Sequence, residues 1–433
     1  MNVRLQRKDK EIKKVFRLMG DKSIAHRSLI IGALGKGEYT IRNFPNNLDC
    51  LSTLKCMERL GVEAKIQNGD IFVSSPGYEY FSKDAGILYS GNSGTTARLL
   101  SGLLAGSNLN GTIDGDNSLR KRPMDRIIVP LRQMGAEINT YNNLLPLCFR
   151  SSKRLIGIEY NMPVASAQVK SSLLIAGFLS EGKTTIIEKQ STRDHTERMF
   201  KALGSKIEVN NLKISISNSN ISVKDMVIPG DISSAAFLIG CAILHEDCNI
   251  KIENVLLNDR RKKYLDILLK MNANIEYKVT KIDNFEEVGY IIAKSSSLKG
   301  IILKEEDIPN IIDEIPILAV LSCFSEGNTV FNGIGELKYK ESNRIKAIAD
   351  NLKDCGREIN YSENHIEIFG NNKYLNKDVV IEPFNDHRIA MAFAALSCKN
   401  YKSTIINNWE CTHISFPGFL SILRDFLNVE IEK

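Results

Sequence analysis

The sequence predicts an α/β chain of two domains, and three observations lead there. One segment type recurs six times, at intervals of about 70 residues, well beyond the ~20–50 of solenoid repeats. A second type recurs in phase with the first. Between them lies a run of strand-forming residues each time. Units this long do not stack as a one-dimensional array, so two globular domains of three units each fit better. The 433 residues allow that, at roughly 100–200 per domain.

Each recurring element has a physical reason. The first is a small or polar cluster followed by an apolar run at helical spacing: Asp21-Lys22-Ser23-Ile24, Gly91-Asn92-Ser93-Gly94, Ala165-Ser166-Ala167-Gln168, Gly230-Asp231-Ile232-Ser233, Ile312-Asp313-Glu314 and Asn385-Asp386-His387-Arg388. Such clusters mark helix N-termini, where side-chain oxygens cap backbone N–H groups and the dipole favours anions. The second is an amphipathic helix that stops and runs into alternating strand residues. It occurs at Leu60-Gly61-Val62-Glu63, Met134-Gly135-Ala136-Glu137, Leu203-Gly204-Ser205-Lys206, Met271-Asn272-Ala273-Asn274, Cys355-Gly356-Arg357-Glu358 and Leu427-Asn428-Val429-Glu430. Gly or Asn just past a helix suits the left-handed cap position. The intervening strand runs include Lys183 to Glu188, Thr329 to Asn332 and Ser403 to Asn407. Each unit therefore reads helix–strand–helix–strand–strand.

Composition excludes several classes. With 43% apolar and 25% charged residues the chain is not disordered or low-complexity. No apolar run approaches the ~20 residues of a membrane span, and the charged stretch Met1 to Lys14 lacks the apolar core of a secretory signal. The nine cysteines are scattered and form no Cys-x-x-Cys or Cys/His cluster, which argues against a disulfide framework and a zinc site. A reduced, cytoplasmic protein is the expectation. The net charge of +6 suits anionic small molecules and weak nucleic-acid affinity alike.

Among the chemical candidates, Gly177 to Thr184 matches the P-loop formula but in inverted context, with a helical run before it and a strand run after. A helix stop and turn is the better reading. Lys22-Ser23-Ile24-Ala25-His26-Arg27 and Gly91 to Arg98 each place cations early in a helix, where the dipole disfavours them unless an anion is bound. Arg122, in the basic stretch Arg120-Lys121-Arg122, is a candidate bidentate clamp on carboxylate or phosphate. Thr192 to Glu197 is a charged helix start with capping character. Asp313 and Glu314 interrupt an apolar run, and gain weight beside Lys340-Glu341-Ser342-Asn343-Arg344 and Asp386-His387-Arg388. His26, His195 and His387 stand singly in different repeats, which does not suggest a metal. The basic run Arg260 to Lys263 has no aromatic interleaving, so a nucleic-acid stripe is weakly supported.

Taken together, nine segments in order resemble the 5-enolpyruvylshikimate-3-phosphate synthase family. They are Asp21 to Arg27, Gly91 to Thr95, Arg120 to Met124, Ala165 to Lys170, Arg193 to Glu197, Asp313-Glu314, Lys340 to Arg344, Asp386 to Arg388 and Ser415 to Gly418. The resemblance implies the two-domain inverted-repeat enolpyruvyl transferase fold, with six βαβαββ units, three per domain. By analogy residues 1–19 and 230–433 form one domain and 20–229 the other, with the active site in the cleft between them. It implies transfer of the enolpyruvyl group of phosphoenolpyruvate to the 5-hydroxyl of shikimate 3-phosphate, through a tetrahedral ketal phosphate, with no metal and no organic cofactor. It puts Lys22, Ser23, Arg27, Ser166, Gln168, Arg193, Asp313 and Lys340 around shikimate 3-phosphate, and Lys22, Gly94, Arg122, Gln168, Arg344 and Arg388 around phosphoenolpyruvate. Glu341 handles the methylene proton, tuned by Lys22 and Lys340; Asp313 deprotonates the hydroxyl; Lys22 is the third catalytic residue. A cytoplasmic monomer without nucleic-acid or membrane partners, open to inhibition by glyphosate beside Gly94, completes the expectation.

The chain departs from one branch of that family. Ala167 stands for a second Ser, Glu336 for Asn, Ile414 for a Lys that touches phosphoenolpyruvate, and Leu99 for Pro; with Arg193 to Glu197, these resemble the second branch. The sister enzyme acting on UDP-N-acetylglucosamine is a weaker match, because it carries a Cys in the loop that here spans Asp116 to Arg122. A sequence-indifferent RNA-binding module would use the basic surface, but lacks aromatic platforms.

Overall fold

The computed structural model describes residues 1–151 and 153–432. The chain divides into two compact units, one of residues 19–229 with 282–286, the other of 1–18, 230–281 and 287–433. The sequence reading placed Met19 and the turn 282–286 with the other unit. The turn belongs with 19–229 because His195 Nδ1 lies 2.7 Å from Glu286 Oε1 and the Arg198 guanidinium donates to the Phe285 carbonyl. A repeat pattern read along the chain carries no information about such side-chain ties.

Each unit holds three small sheets. In the 19–229 unit they are Met226–Val227, Lys36–Arg42, Asp70–Pro76, Glu63–Gln67; then Asp84–Tyr89, Asn110–Asp114, Leu147–Arg150, Glu137–Asn139; and Glu159–Asn161, Lys183–Ile187, Lys213–Ser217, Ile207–Asn210. In the other unit they are Val379–Ile381, Thr404–Ile406, Asn2–Arg7, Leu427–Glu432; then Ile275–Asp283, Glu286–Lys294, Cys248–Leu256, Ile12–Arg17; and Leu298–Lys299, Ser325–Asn332, His365–Asn371, Ile359–Tyr361. In every sheet one outer strand runs parallel to its neighbour, and that neighbour pairs antiparallel with the next strand. This sixfold repetition, three sheets to a unit, matches the six units in two domains that the sequence pattern predicts and the inverted-repeat fold that the family resemblance implies.

The helices of the 19–229 unit are α1 (Lys22–Ile30), α2 (Leu48–Arg59), α3 (Gly94–Gly106), α4 (Asp125–Gln133), α5 (Ala167–Leu179) and α6 (His195–Ala202). Those of the other unit are α7 (Ile232–Leu244), α8 (Lys263–Lys270), α9 (Ile315–Ser322), α10 (Arg344–Asp354), α11 (His387–Leu396) and α12 (Phe419–Phe426). The odd-numbered helices follow the polar marker clusters and, apart from α1 with its Lys22, His26 and Arg27, are apolar nearly all round. Accordingly α7, α9 and α11 are buried along their whole length. The even-numbered helices are amphipathic and keep a polar face outward. In the 19–229 unit's counterpart of that core, α3 meets α5 so closely that a Cβ at Gly102 would lie 2.1 Å from the Ser172 carbonyl oxygen, which only glycine permits.

The markers sit at helix starts, with corrections in the caps. Ser93, Ser166 and Asp386 are N-caps. In α1 the cap is Asp21 rather than Ser23, its carboxylate accepting from the Ile24 N–H at 3.0 Å. In α7 it is Asp231, and α9 is preceded by Glu314, one residue past Asp313. A carboxylate two residues upstream reaches the free N–H groups better than the serine already inside the first turn. Asn47, almost fully buried, caps α2 by accepting from the Cys50 N–H at 2.9 Å. Asn47→Ala is expected to destabilise the protein by about 1 kcal/mol, read as a lower urea midpoint. The P-loop lookalike falls on the end of α5 and the strand Lys183–Ile187, helix before strand, which excludes the nucleotide-binding arrangement.

Candidate active site

In the 19–229 unit the marker helices α1, α3 and α5 bring the predicted side chains to their N-terminal ends. Lys22 Nζ, the first residue of α1, lies 2.7 Å from Asp49 Oδ2 on α2. Arg27, one turn further, is buried. Its Nε donates to Thr196 Oγ1, its Nη2 to Ser171 Oγ and its Nη1 to the Ser23 carbonyl, each at 2.7 Å. It thereby ties α1 to α5 and α6. Ser166 caps α5, and Ser23 and Ser166 are half-buried.

At α3 and α5 a second group forms. Gln168 accepts from Arg98 Nη1 at 3.1 Å and donates to Thr95 Oγ1 at 2.9 Å. Arg122 Nη2 donates to Asn92 Oδ1 at 2.7 Å. A Cβ built on Gly94 would lie 2.5 Å from Arg98 Nη1 and 3.4 Å from Arg122 Nη1. Gly94, Arg122 and Gln168 therefore converge on Arg98, which the sequence reading assigned no role. Its signal was present: a cation within the first turns of a helix is electrostatically costly without an anion.

Arg193, half-buried, precedes α6. Its neighbour Thr192 is held by Glu188, whose Oε1 accepts from the Thr192 N–H at 3.1 Å and from its hydroxyl. Glu188 Oε2 in turn bonds Lys170 Nζ at 3.1 Å, and Lys170 lies 2.6 Å from Glu197 Oε1. All three charged groups are buried. Burial raises the Glu197 carboxyl above its ordinary range, while Lys170 pulls against that rise. Sequence reasoning passed over this triad, although a lone Lys in the apolar run of α5 was visible.

In the other unit the predicted residues also gather. Asp313 Oδ1 lies 3.3 Å from Lys340 Nζ and 3.4 Å from Arg344 Nη1. Arg388 Nη1 donates to the Asp313 carbonyl at 2.7 Å, and its Nη2 is 3.8 Å from the carboxylate. Arg344 Nη2 bonds Glu341 Oε2 at 2.5 Å, and its Nε bonds Asp386 Oδ2 at 2.8 Å. Burial pulls the Arg344 pKa down, but Asp386, Glu341 and Asp313 outweigh it and raise the pKa above the ordinary value. Three cations thus lie among three carboxylates, of which Asp313 and Glu341 retain some exposure. Behind them Glu314 accepts from Ser233 Oγ at 2.5 Å, and Arg261 donates to the same hydroxyl at 3.1 Å. Arg261 is buried, so the run Arg260 to Lys263 is not the uniformly solvated face that its charge suggests.

Both groups have one chemical character. Each offers Lys and Arg donors sufficient for phosphate and carboxylate, and the second adds carboxylates able to exchange protons. Of the departures, Leu99 is buried in α3, and Ala167, Glu336 and Ile414 are half-buried.

Residues 6–423 match the profile of a family described as EPSP synthase (3-phosphoshikimate 1-carboxyvinyltransferase). A 3-phosphoshikimate 1-carboxyvinyltransferase of Clostridium tetani (strain Massachusetts / E88) is 52% identical over 419 residues, covering 97% of this chain and 95% of that one. The solved structure of EPSP synthase from Acinetobacter baumannii superimposes with a TM-score of 0.88 at 36% identity, covering 100% of both chains. The enolpyruvyl transferase NikO from Streptomyces tendae shares the fold, with a TM-score of 0.78 at 14% identity over 99% of this chain and 98% of that one.

Proposed function

We propose a division of labour among these residues on one premise: the chain belongs to the EPSP synthase family. It transfers the enolpyruvyl group of phosphoenolpyruvate to the 5-hydroxyl of shikimate 3-phosphate and releases phosphate, within the shikimate pathway of aromatic amino acid biosynthesis. In our reading both groups serve this one substrate pair. Lys22, Ser23, Arg27, Ser166, Gln168 and Arg193 bind shikimate 3-phosphate with Asp313 and Lys340. Lys22, Gly94, Arg122, Gln168, Arg344 and Arg388 bind phosphoenolpyruvate.

The observation that carries the assignment is the knot of Asp313, Glu341, Lys340, Arg344 and Arg388 within bonding reach of one another. The chemistry needs two proton-transfer groups and a cationic surround. Asp313 takes the hydroxyl proton as that oxygen bonds C2 of phosphoenolpyruvate. Glu341 gives a proton to C3, which completes the tetrahedral ketal phosphate. Glu341 then takes a proton back from C3 as the C2–O bond to phosphate breaks, and the Asp313 proton leaves with the phosphate. Arg344, Arg388, Lys340 and Lys22 stabilise the charge that moves onto the departing group.

Finer points belong to the same reading. Glyphosate carries a carboxylate and a phosphonate, so it competes for the donors beside Gly94, where a side chain would crowd the Arg98 and Arg122 guanidinium groups. All nine cysteines are free and most are buried, which suits a reducing cytoplasm. Every residue in the scheme comes from one chain, so a monomer suffices. The test is phosphate release from phosphoenolpyruvate with chelator present. Release is expected with shikimate 3-phosphate, none with UDP-N-acetylglucosamine, and less when glyphosate is added. Absence of release with shikimate 3-phosphate would overturn the scheme.

A further inference from the structure

We propose that the Ser93 hydroxyl is a further ligand to phosphoenolpyruvate, and that His26 positions it through a chain of hydroxyls. This rests on the subsite assigned above to Gly94, Arg122 and Gln168. His26 Nδ1 lies 2.7 Å from Thr53 Oγ1, Thr53 Oγ1 lies 2.7 Å from Thr96 Oγ1, and Thr96 Oγ1 donates to Ser93 Oγ at 2.7 Å. All four residues are buried, and nothing in the reaction scheme uses them.

Counting protons gives the chain a direction, because each hydroxyl has one to donate. Thr96 has two acceptors within reach, Ser93 Oγ at 2.7 Å and the Asp49 carbonyl at 3.4 Å; its proton goes to the much nearer Ser93, so its oxygen must accept from Thr53. Thr53 then has none left, so it accepts from His26, which must be the Nδ1–H tautomer. The bare Nε2 faces Cys50 Sγ at 3.9 Å. Burial, with Lys22 and Arg27 adding to it, lowers the imidazole pKa far below its ordinary value, so the ring is neutral. At the other end Ser93 Oγ accepts twice, from the Thr96 hydroxyl and, as N-cap of α3, from the Thr96 N–H at 3.1 Å. Both lone pairs are committed, and among the described residues nothing accepts the Ser93 proton. That proton is the outlet of the chain, one residue from Gly94 with its flanking guanidinium groups. An anion bound there gains a donor polarised by three bonds behind it.

The experiment measures KM for each substrate, with kcat and the thermal midpoint alongside. Ser93→Asp keeps an acceptor for the cap and for Thr96 but replaces the proton with a negative charge. We expect KM for phosphoenolpyruvate to rise about 100-fold, and that for shikimate 3-phosphate to change less than about 3-fold. His26→Leu deletes the donor and should raise the phosphoenolpyruvate KM about 10-fold. His26→Asn supplies an amide N–H at the Nδ1 position and should restore it. The assignment falls if Ser93→Asp leaves the phosphoenolpyruvate KM unchanged, if both KM values rise together, or if His26→Asn fares no better than His26→Leu. Should His26→Leu fail to fold, Ser93→Asp and His26→Asn still decide. Arg122→Met separates the two levels. If it too leaves the phosphoenolpyruvate KM unmoved, the subsite itself is misassigned; if it alone raises that KM, the subsite stands and Ser93 is not part of it.

Discussion

Glu341→Gln is expected to cut turnover by about 10²–10⁴ while shikimate 3-phosphate binds within a few-fold of its normal affinity. The substitution is nearly isosteric, and the amide oxygen still accepts from Arg344 Nη2, where Glu341 Oε2 sits at 2.5 Å. Packing and the neighbouring ion pairs therefore persist, and what disappears is the ability to give and retrieve a proton. In the proposed scheme Glu341 acts on a carbon, where no solvent proton is delivered quickly, so its loss is expected to fall on the chemical step. The check pairs single-turnover phosphate release with equilibrium binding of shikimate 3-phosphate. Unchanged turnover would remove Glu341 from the mechanism.

Arg344→Leu is expected to act first on stability, costing about 3–5 kcal/mol, because it strands a buried anion. Asp386 has no solvent exposure and accepts from Arg344 Nε at 2.8 Å, from Ser342 Oγ at 3.1 Å and from the Arg388 N–H at 2.9 Å. The last of these is the cap of α11, so Asp386 cannot swing away to find water without opening that helix. Removing the guanidinium also takes from Glu341 its bond to Arg344 Nη2. Urea unfolding gives the measurement, and the double variant with Asp386→Leu should recover a large part of the loss, since the stranded charge goes with it. A loss below about 1 kcal/mol would show that Asp386 finds compensation elsewhere.

How much of this was legible depends on whether a feature is local. Ser93, Ser166 and Asp386 announce caps because an oxygen next to an apolar run is a short-range signal. The six-unit pattern is likewise a sum of local stops such as Gly61, Gly135 and Gly204, all with positive φ. Side-chain pairing is not local. Arg344 meets Asp386 across 42 residues of chain, and Lys170 meets Glu188 across a helix end and a strand. The choice of Asp21 over Ser23 as cap was not legible either, because both types suit the position and only geometry separates them. The burial of Arg261 is not local either: it depends on the Ser233 hydroxyl, 28 residues away, that it bonds. Of the site, the residue types were readable, Arg98 among them as a cation early in a helix; the order in which bonds link the groups was not.

The pairing of Asn2–Arg7 with Leu427–Glu432, from Asn2 opposite Glu432 to Arg7 opposite Leu427, bears on how the molecule is made. A ribosome makes that strand well before its partner, with residues 8–426 to be made between the two. At about 5–20 residues per second the wait lasts roughly 20–80 s. Over the same interval the stretch 19–229 and the turn 282–286 are both made, and that unit has its own three sheets to form. The nascent chain thus carries one finished half and one unpaired strand edge, a natural substrate for holding chaperones.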